Sequence, residues 1–246
     1  MRGFARPRAL PWREVVIVSV HIADLGPRKA VEVLLRQPRP AGVPGLTYAE
    51  TTANAPLGEP LLPPRGLGPI GMIAAWENDE ALERFSRSPH PVARHLAPGY
   101  EVRLEPLRVS GAWAGMPGLP VRALPVDDDE PVGILTLGRL RLLRTGAFRR
   151  SAGPAEAAAL ASPALLAGTG LARPPRFVAT FTLWRSAAAM REFAYGRGIP
   201  HQAAIDADRA RPFHHESAFV RFRPYASQGA WDGRDPLEGT VKRAPA

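Results

Sequence analysis

The chain has 246 residues, of which 45% are hydrophobic and 22% are charged. This composition is ordinary for a globular protein, and the length suffices for one large domain or two of about 120 residues each. The formal net charge is +9, but nearly all the positive charge is arginine, dispersed along the chain. No helix-turn-helix, zinc-finger or RNA-binding motif accompanies it, which argues against nucleic acid as a partner and leaves weak attraction to an anionic membrane surface open.

Several other function classes are excluded by what the sequence lacks. It contains no cysteine, so it has no disulfide, no thiolate metal site and no cysteine nucleophile. No run of about 18 apolar residues predicts a membrane-spanning helix, and the basic N-terminus has no apolar segment typical of a secretory signal. The expected location is therefore the cytoplasm. The G-x-S-x-G, P-loop, H-E-x-x-H and strand-linked G-x-G-x-x-G motifs are also absent.

The first half of the chain predicts four strands and two helices. After a loose arm at residues 1–12, the β-branched run EVVIVSVHIAD predicts a buried strand at Glu14–Asp24. Pro27 opens a short helix that extends to Gln37. The remaining elements are strands at Gly45–Asn54, Ile70–Trp76 and Tyr100–Val109, a helix with an acidic first turn at Asn78–Ser86, and a proline-rich loop at 55–68.

The second half predicts a similar alternation. The acidic, proline-containing junction Val121–Glu130 predicts a boundary, which gives residues 13–122 as a first unit and 123–246 as a second. The elements expected in the second unit are strands at Pro131–Leu142, Arg176–Trp184 and Ser217–Tyr225 and helices at Pro154–Leu166 and Ser186–Gly196.

Two gapless matches relate the halves. The pattern W-x5-[LM]-x2-F occurs from Trp76 and again from Trp184, at an offset of 108 residues. The pattern R-x2-P-x4-G-A-W-x-G occurs from Arg103 and again from Arg221, at an offset of 118 residues. The second unit therefore holds ten extra residues between its last helix and last strand, and His201 lies in or beside this insertion.

This internal match predicts the fold class. Each half is interpreted as a β-α-β-β-α-β unit of the ferredoxin-like type, so the chain is α+β. A sheet of this type has helices on one face only, and its other face must be covered. Two tandem repeats packed sheet to sheet are expected to form a pseudo-symmetric α+β barrel with an interior cavity.

Three motifs of the second half resemble one known family. They are TFTLW-x5-M-x2-FAY-x5-H-x2-AI from Thr180, HE-x2-F-x-RF-x-P from His215, and GAW-x-G-x2-PL from Gly229. This pattern is similar to the C-terminal half of the spheroidene monooxygenase family, and the VRL-x-P and GAW-x-G segments within Val102–Gly115 extend the resemblance over most of the chain. The resemblance leaves the substrate open, because the family's Gly-x-Gly-Glu segment appears here as Gly168–Ala172 without the acid.

The resemblance implies a haem-dependent monooxygenase that introduces a keto or hydroxy group into a carotenoid or a similar apolar substrate. It also implies haem b as the cofactor, dioxygen as co-substrate and a ferredoxin as electron donor. With it, His201 becomes the candidate axial ligand of the iron, because a neutral imidazole binds haem iron directly. The alternative interpretation is that His201 caps a helix or faces solvent.

Other residues of the second half are candidates for the cofactor pocket. Trp184, Met190, Phe193 and Tyr195, together with Trp76 of the first half, have the shapes that line a pocket for a flat porphyrin or a polyene. Ordinary core packing is the interpretation that their spacing favours. Arg221, together with Arg223, is a candidate for pairing with haem propionates, because a guanidinium fork suits a carboxylate. Solvated arginines on a strand face are the alternative.

The remaining histidines have mostly structural interpretations. His21 lies in a buried strand and is expected to be a hydrogen-bonded core residue. His214 and His215 cannot both face one site if they lie on a strand. One of them could face the cavity with Glu216 as an orienting partner, but the favoured interpretation is a loop exposed to water. An iron site of two histidines and a carboxylate could be assembled from His201, His215 and Glu216, but nothing in their spacing requires it.

Two other function classes also remain open. One is a non-catalytic or cofactor-free tandem barrel that binds small apolar ligands, since a fold persists when its chemistry is lost. The other is a cofactor-free enzyme on the same fold, similar to antibiotic-biosynthesis monooxygenases or to dehydratases. The sequence also leaves open an oligomeric state and a peripheral position at the inner membrane face.

Overall fold

The computed structural model describes residues 16–59, 68–120, 123–196 and 212–243. The predicted arm, residues 121 and 122 at the predicted boundary, and His201 lie outside the described residues. The described strands are β1 (Ile17–Asp24), β2 (Leu46–Pro56), β3 (Pro69–Trp76), β4 (Tyr100–Gly111), β5 (Val132–Leu140), β6 (Leu165–Arg173), β7 (Phe177–Trp184), β8 (His214–Gln228) and β9 (Lys242–Arg243). The α-helices are α1 (Pro27–Leu35), α2 (Asp79–Ser86), α3 (Pro91–Leu96), α4 (Thr145–Leu160) and α5 (Ala187–Tyr195).

Eight of the strands close into an antiparallel barrel. Their order is β4-β1-β3-β2-β6-β7-β5-β8, and a further pairing of β4 with β8 completes the ring. The short β9 pairs in parallel with the end of β8. The predicted α+β barrel is confirmed, and its two arcs are joined through hydrogen-bonded strand edges, β2 with β6 and β4 with β8. Closure of the barrel gives hydrogen-bond partners to the backbone N–H and C=O groups that the edge strands of an open sheet would expose.

The two arcs have the same strand order. The first half contributes β4-β1-β3-β2 and the second contributes β8-β5-β7-β6. Trp76 lies opposite Ile17, and Trp184 lies opposite Val132 at the corresponding place. A register shift follows immediately in both neighbouring strands, in β2 after Leu46 and in β6 after Leu165.

Alternation along each strand separates the barrel interior from the helix-covered outer face. On β3, Ile73 and Ala75 point into the barrel, whereas Met72 and Trp76 pack under α1, α2 and α3. The interior is filled by one large buried cluster that includes Tyr100, Phe181, Phe222 and Trp231. These large side chains occupy much of the space inside an eight-stranded barrel, and the two cavities described below lie outside it.

Helix α4 and strand β6 correct the prediction for residues 154–166. The helix begins at Thr145 and ends at Leu160, with Pro154 inside it, so treating Pro154 as the first residue of the helix was wrong. Leu165 and Leu166 belong to β6, which the sequence did not predict. The β6 segment LLAGTGLAR has little strand propensity, and its pairing with β2 and β7 decides its structure.

Equivalent caps begin the helices that follow β3 and β7. The side chain of Asn78 accepts a hydrogen bond from the backbone N–H of Ala81 at 3.0 Å. In the second half, Ser186 accepts one from Ala189 at 3.2 Å. Both caps satisfy N–H groups that a helix start leaves without partners. Among the described residues, no α-helix combines the length and the apolar composition needed to cross a bilayer.

Candidate functional site

Two adjoining cavities lie outside the barrel, between the sheet of the second half and helices α4 and α5. Their volumes are about 440 Å³ and about 330 Å³. Thr136, Glu156, Thr180 and Phe219 border both cavities, and we call the two together the helix–sheet groove. Cavities of this size hold small organic ligands.

The floor of the groove is formed by outward-facing residues of the sheet. Thr180 and Thr182 on β7 point into the groove, and Phe181 between them points into the barrel. The indole Nε1 of Trp184 donates a hydrogen bond to Thr182 Oγ1 at 2.9 Å. Because a buried indole N–H needs an acceptor, this bond fixes the orientation of the tryptophan at the end of the groove.

Helix α5 supplies one wall of the groove. Met190, Phe193 and Tyr195 all line the larger cavity. Phe193 contacts Trp184 with ring centroids 4.7 Å apart. Trp184 is 2% and Met190 4% exposed, whereas Tyr195 is 64% exposed. Trp184 and Met190 therefore belong to the core and also line the cavity, whereas Tyr195 is not a core residue. A ligand contact for these residues stays a prediction.

Helix α4 supplies the opposite wall and is tied to the first half of the chain. Glu156 accepts a hydrogen bond from the backbone N–H of Gly58 at 2.9 Å. Leu57, the neighbour of Gly58, lines the larger cavity. The connection that follows β2 thus contributes to a groove built mainly by the second half.

Arg221 is one of two arginines that line the larger cavity. Its Nε is buried and has no hydrogen-bond partner among the described residues. Arg108, which also lines the cavity, lies directly opposite Arg221 across the β4–β8 pairing. Burial lowers the pKa of Arg221, and the positive charges of Arg108 and Arg191 lower it further, against an opposing effect of Tyr195.

Arg223 and Glu216, two other predicted candidates, are engaged elsewhere. Arg223 forms ion pairs with Glu105 at 2.7 Å and with Glu130 at 3.1 Å, so its charge is already neutralised. Glu216 pairs with Arg139 at 3.0 Å. The structure therefore distinguishes Arg221 from Arg223, which the sequence treated alike.

The structure agrees with the prediction for His21, but the exposed loop favoured for His214 and His215 is wrong, because both residues lie on β8. His21 is buried, and its Nε2 lies 3.0 Å from the Ser19 hydroxyl. His214 borders the smaller cavity, whereas its neighbour His215 is exposed. Within the described ranges, no cluster of three histidine, aspartate or glutamate side chains could hold a metal ion. The iron site that includes His201 is not tested by this observation.

His201 itself lies outside the described residues, but both described flanks of its segment border the groove. Helix α5 ends at Tyr195 in the larger cavity, and β8 begins at His214 beside the smaller one. The described groove residues whose side chains can also ligate haem iron are Met190, Tyr195 and His214.

Several groove residues were not singled out by the sequence. The T-x-T alternation of Thr180 and Thr182 beside an apolar residue was a usable signal, since it places both hydroxyls on one strand face. Glu156 was hidden by the wrong start of α4. Phe219 was marked only as part of a family motif, and Arg108 gave no signal, because the contribution of both depends on how β4 pairs with β8.

Comparison with known proteins gives close agreement with one family. The chain is 32% identical over 178 residues to the spheroidene monooxygenase of Rhodobacter capsulatus, a match that spans 70% of this chain and 73% of the relative. The chain belongs to the spheroidene monooxygenase family. The family resemblance and the prediction of a monooxygenase are thereby confirmed.

Two further members of the spheroidene monooxygenase family are similar. The protein of Rubrivivax gelatinosus is 33% identical over 168 residues, which span 67% of this chain and 63% of that protein. The protein of Cereibacter sphaeroides is 29% identical over 181 residues, 71% of this chain and 55% of that protein. The matched region is thus less than two thirds of these two relatives. No family model matches the chain.

Solved structures agree on the fold. An aldoxime dehydratase in complex with butyraldoxime has a TM-score of 0.53 at 8% identity, over 92% of this chain and 86% of that chain. A second aldoxime dehydratase structure has a TM-score of 0.50 at 9% identity, over 94% and 88%. At such identities the likeness shows the shared α+β fold alone.

Proposed function

We propose that this member of the spheroidene monooxygenase family is a haem-dependent oxygenase, and that it introduces a keto or hydroxy group into a carotenoid or a similarly apolar substrate. The observation that carries the proposal is the convergence of Trp184, Met190, Phe193, Tyr195 and Arg221 on one groove. The relatives' name supports a carotenoid as substrate and dioxygen as co-substrate. A ferredoxin is the proposed electron donor.

The groove suits a flat, largely apolar macrocycle with an anionic edge. Its aromatic and methionine side chains supply an apolar wall, and the buried Nε of Arg221 supplies a hydrogen-bond donor without a partner among the described residues. His201 is the proposed axial ligand, because the described flanks of its segment border the groove. When bound, haem b supplies the activation of dioxygen.

The chain's own residues would bind the ligands, orient them and exclude water. The apolar side chains of α5 make the groove a favourable environment for a polyene, because burial removes its surface from water. Thr182 orients the indole of Trp184, which limits how a flat group can lie against that end. Such positioning restricts which part of an extended substrate reaches the reacting centre.

The proposed location is the cytoplasm, with peripheral contact to the inner membrane face. A carotenoid-like substrate partitions into lipid, and a net charge of +9 suits an anionic surface. We also propose that the two halves are tandem copies of one ferredoxin-like unit. The common strand order, the matching register shifts after Leu46 and Leu165, and the matching caps at Asn78 and Ser186 support it.

The decisive experiment is an absorption spectrum of protein expressed with a haem precursor. A Soret band is expected in the wild type, and it is expected to be lost or strongly shifted in His201→Ala. His215→Ala is the control, because this histidine is exposed and borders neither cavity of the groove. Protein without a Soret band after haem supplementation would contradict haem dependence. An unchanged spectrum in His201→Ala would remove His201 as the ligand.

Activity is tested separately, by oxygen consumption with an acyclic carotenoid and reduced ferredoxin. Turnover that requires haem is expected. Colourless protein that binds polyenes without consuming oxygen would instead support a cofactor-free barrel that binds apolar ligands.

A further inference from the structure

In the first half, Arg103 is enclosed by carboxylates. Its Nε donates to Glu101 at 3.0 Å, and its Nη1 donates to Asp79 at 2.9 Å and to Glu83 at 3.2 Å. Arg103 is only 3% exposed. Asp79 also accepts a hydrogen bond from the hydroxyl of Tyr225 at 2.9 Å. A buried guanidinium is thus fully compensated by ion pairs within the protein.

Arg221 occupies the equivalent place in the second half. Arg103 lies opposite Ser19 across β1 and β4, and Arg221 lies opposite Ile134 across β5 and β8. Ser19 follows two residues after Ile17, which pairs with Trp76 at the end of β3. Ile134 likewise follows two residues after Val132, which pairs with Trp184 at the end of β7. Both arginines are therefore on the outer face of the sheet, beside the helix that follows this tryptophan.

The surroundings of the two arginines have opposite charge. In the second half, the positions of Glu101, Asp79 and Glu83 are occupied by Phe219, Ala187 and Arg191. The residue opposite Arg103 across β4 and β8 is Ala226, whereas the residue opposite Arg221 is Arg108. The three positions that carry carboxylates around Arg103 thus carry none around Arg221, and among the described residues two arginines, Arg108 and Arg191, are added.

This arrangement is costly without an anion. Two arginines directly opposite each other on a sheet repel, and a buried donor without a partner loses its hydration. Arg191 is engaged by Asp128, but the Nε of Arg221 has no partner among the described residues. A bound carboxylate would supply the charge that Glu101 supplies to Arg103.

We propose that Arg221, with Arg108 beside it, binds a carboxylate of the groove's ligand. The proposal rests on the groove being the ligand site, as proposed above, but not on the ligand being a haem. A carboxylate could come from a porphyrin edge or from a free polyene acid, and both have the same chemistry at a guanidinium. Phe219, at the position equivalent to Glu101, then leaves the guanidinium of Arg221 available to a ligand. A glutamate at position 219 would pair with Arg221 in place of the ligand's carboxylate.

Two pairs of probes test this in ligand-free protein. The fluorescent polyene cis-parinaric acid is compared with its methyl ester, and haemin is compared with its dimethyl ester. In the wild type, the free acid of at least one pair is expected to bind roughly tenfold or more tightly than its ester, since a charge-assisted hydrogen bond is lost on esterification. Preference confined to one pair identifies the source of the carboxylate.

Three variants locate the effect. Arg221→Gln removes the guanidinium, and Phe219→Glu rebuilds the carboxylate that neutralises Arg103, so both are expected to abolish the preference for the acid. Phe219→Gln is the matched control and is expected to retain it, because loss of the phenyl ring affects acid and ester equally. The Phe219 pair keeps the test valid if Arg221→Gln does not fold.

The outcomes separate this proposal from the proposed function. Equal binding of acid and ester in both pairs, or a preference that survives both Arg221→Gln and Phe219→Glu, would overturn it. A preference lost in Phe219→Gln would also overturn it. Haem binding without any acid preference contradicts only the carboxylate site, whereas an acid preference without a Soret band contradicts only haem dependence. Failure of all four probes to bind contradicts both proposals.

Discussion

The α-carbon of Gly229 lies against the carbonyl oxygen of Gly99, so close that a β-carbon at position 229 would be 2.0 Å from this oxygen. The same contact occurs at the other end of the β4–β8 pairing, where a β-carbon on Gly111 would be 2.3 Å from the carbonyl oxygen of Ser217. Both glycines have positive φ angles, 79° and 87°. The glycine of each G-A-W motif is thus required where the barrel closes.

Gly229→Ala is therefore expected to destabilise the protein by about 3 kcal/mol, because it adds a clash with backbone to an unfavourable φ. Gly233→Ala is the matched control. Gly233 has a similar φ of 83°, but a β-carbon added there would have no atom within 4 Å, so only about 1 kcal/mol is expected. Urea denaturation measures both, and equal losses would contradict a steric role for the β4–β8 closure.

Removing the two equivalent arginines is expected to have unequal effects on stability. Arg103→Gln leaves the 4% exposed Glu101 without its cation, so a loss of about 3 kcal/mol is expected. Arg221→Gln removes repulsion with Arg108, so the free energy of unfolding should change by less than about 1 kcal/mol. Chemical denaturation of ligand-free protein measures both. A loss for Arg221→Gln as large as that for Arg103→Gln would show that Arg221 is a structural ion-pair residue.

Stability is expected to fall at mildly acidic pH because of His21. Burial lowers its pKa, and this effect exceeds the raising effect of Glu101, 3.6 Å away; Arg103 lowers the pKa further. Below about pH 6.5, His21 of the unfolded chain binds a proton that His21 of the folded protein does not. The free energy of unfolding therefore falls as pH decreases, by at most about 1.4 kcal/mol per pH unit.

The variant His21→Asn isolates this effect. The difference in unfolding free energy between wild type and variant is expected to be constant above pH 7 and to shrink steadily below about pH 6.5, because only the wild type must keep a buried histidine neutral. Denaturation curves at a series of pH values measure it. A difference independent of pH from 5 to 8 would mean that His21 titrates normally, for which its interaction with Glu101 would have to outweigh burial.

Filling the groove should block ligands without unfolding the protein. Ala155 lines both cavities, whereas Ala157 on the same helix is exposed. Ala155→Trp is expected to weaken binding of parinaric methyl ester at least roughly tenfold, because the indole takes the ligand's volume. Ala157→Trp is the control and should leave binding unchanged. Full affinity in a folded Ala155→Trp protein would place the ligand elsewhere.

The sequence predicted the repeated elements wherever local pattern and packing agree. The runs around Val18, Ile73 and Phe181 are apolar and β-branched or aromatic, and all three became strands. Strand β6 was not predicted because its glycines and alanines have almost no intrinsic preference for a strand. The prediction for helix α4 failed because Pro154 suggests a helix start, whereas this proline lies inside the helix, on its exposed face, where it can donate no backbone hydrogen bond.

The residues of the candidate site were predictable only in part, and their arrangement was not. The offset of 108 residues already places Ala187 and Arg191 at the positions of Asp79 and Glu83. Only the three-dimensional structure shows that both acids converge on Arg103, since this contact joins a helix to a strand 20 or more residues away. Contacts of this range are set by the fold and not by any local pattern.

Both arcs of the closed barrel belong to one chain. The two arcs can therefore differ in the residues around their equivalent arginines, which the subunits of a symmetric dimer cannot. Two identical subunits would carry the same side chains around both equivalent arginines, so a change that replaced the ion-pair cluster by a ligand site would do so in both subunits at once. With both arcs encoded separately, the acids around Arg103 can be kept while those around Arg221 are lost. The ion pairs of Arg103 can then stabilise the barrel in the first half, while substitutions around Arg221 in the second half alter ligand binding without removing those ion pairs.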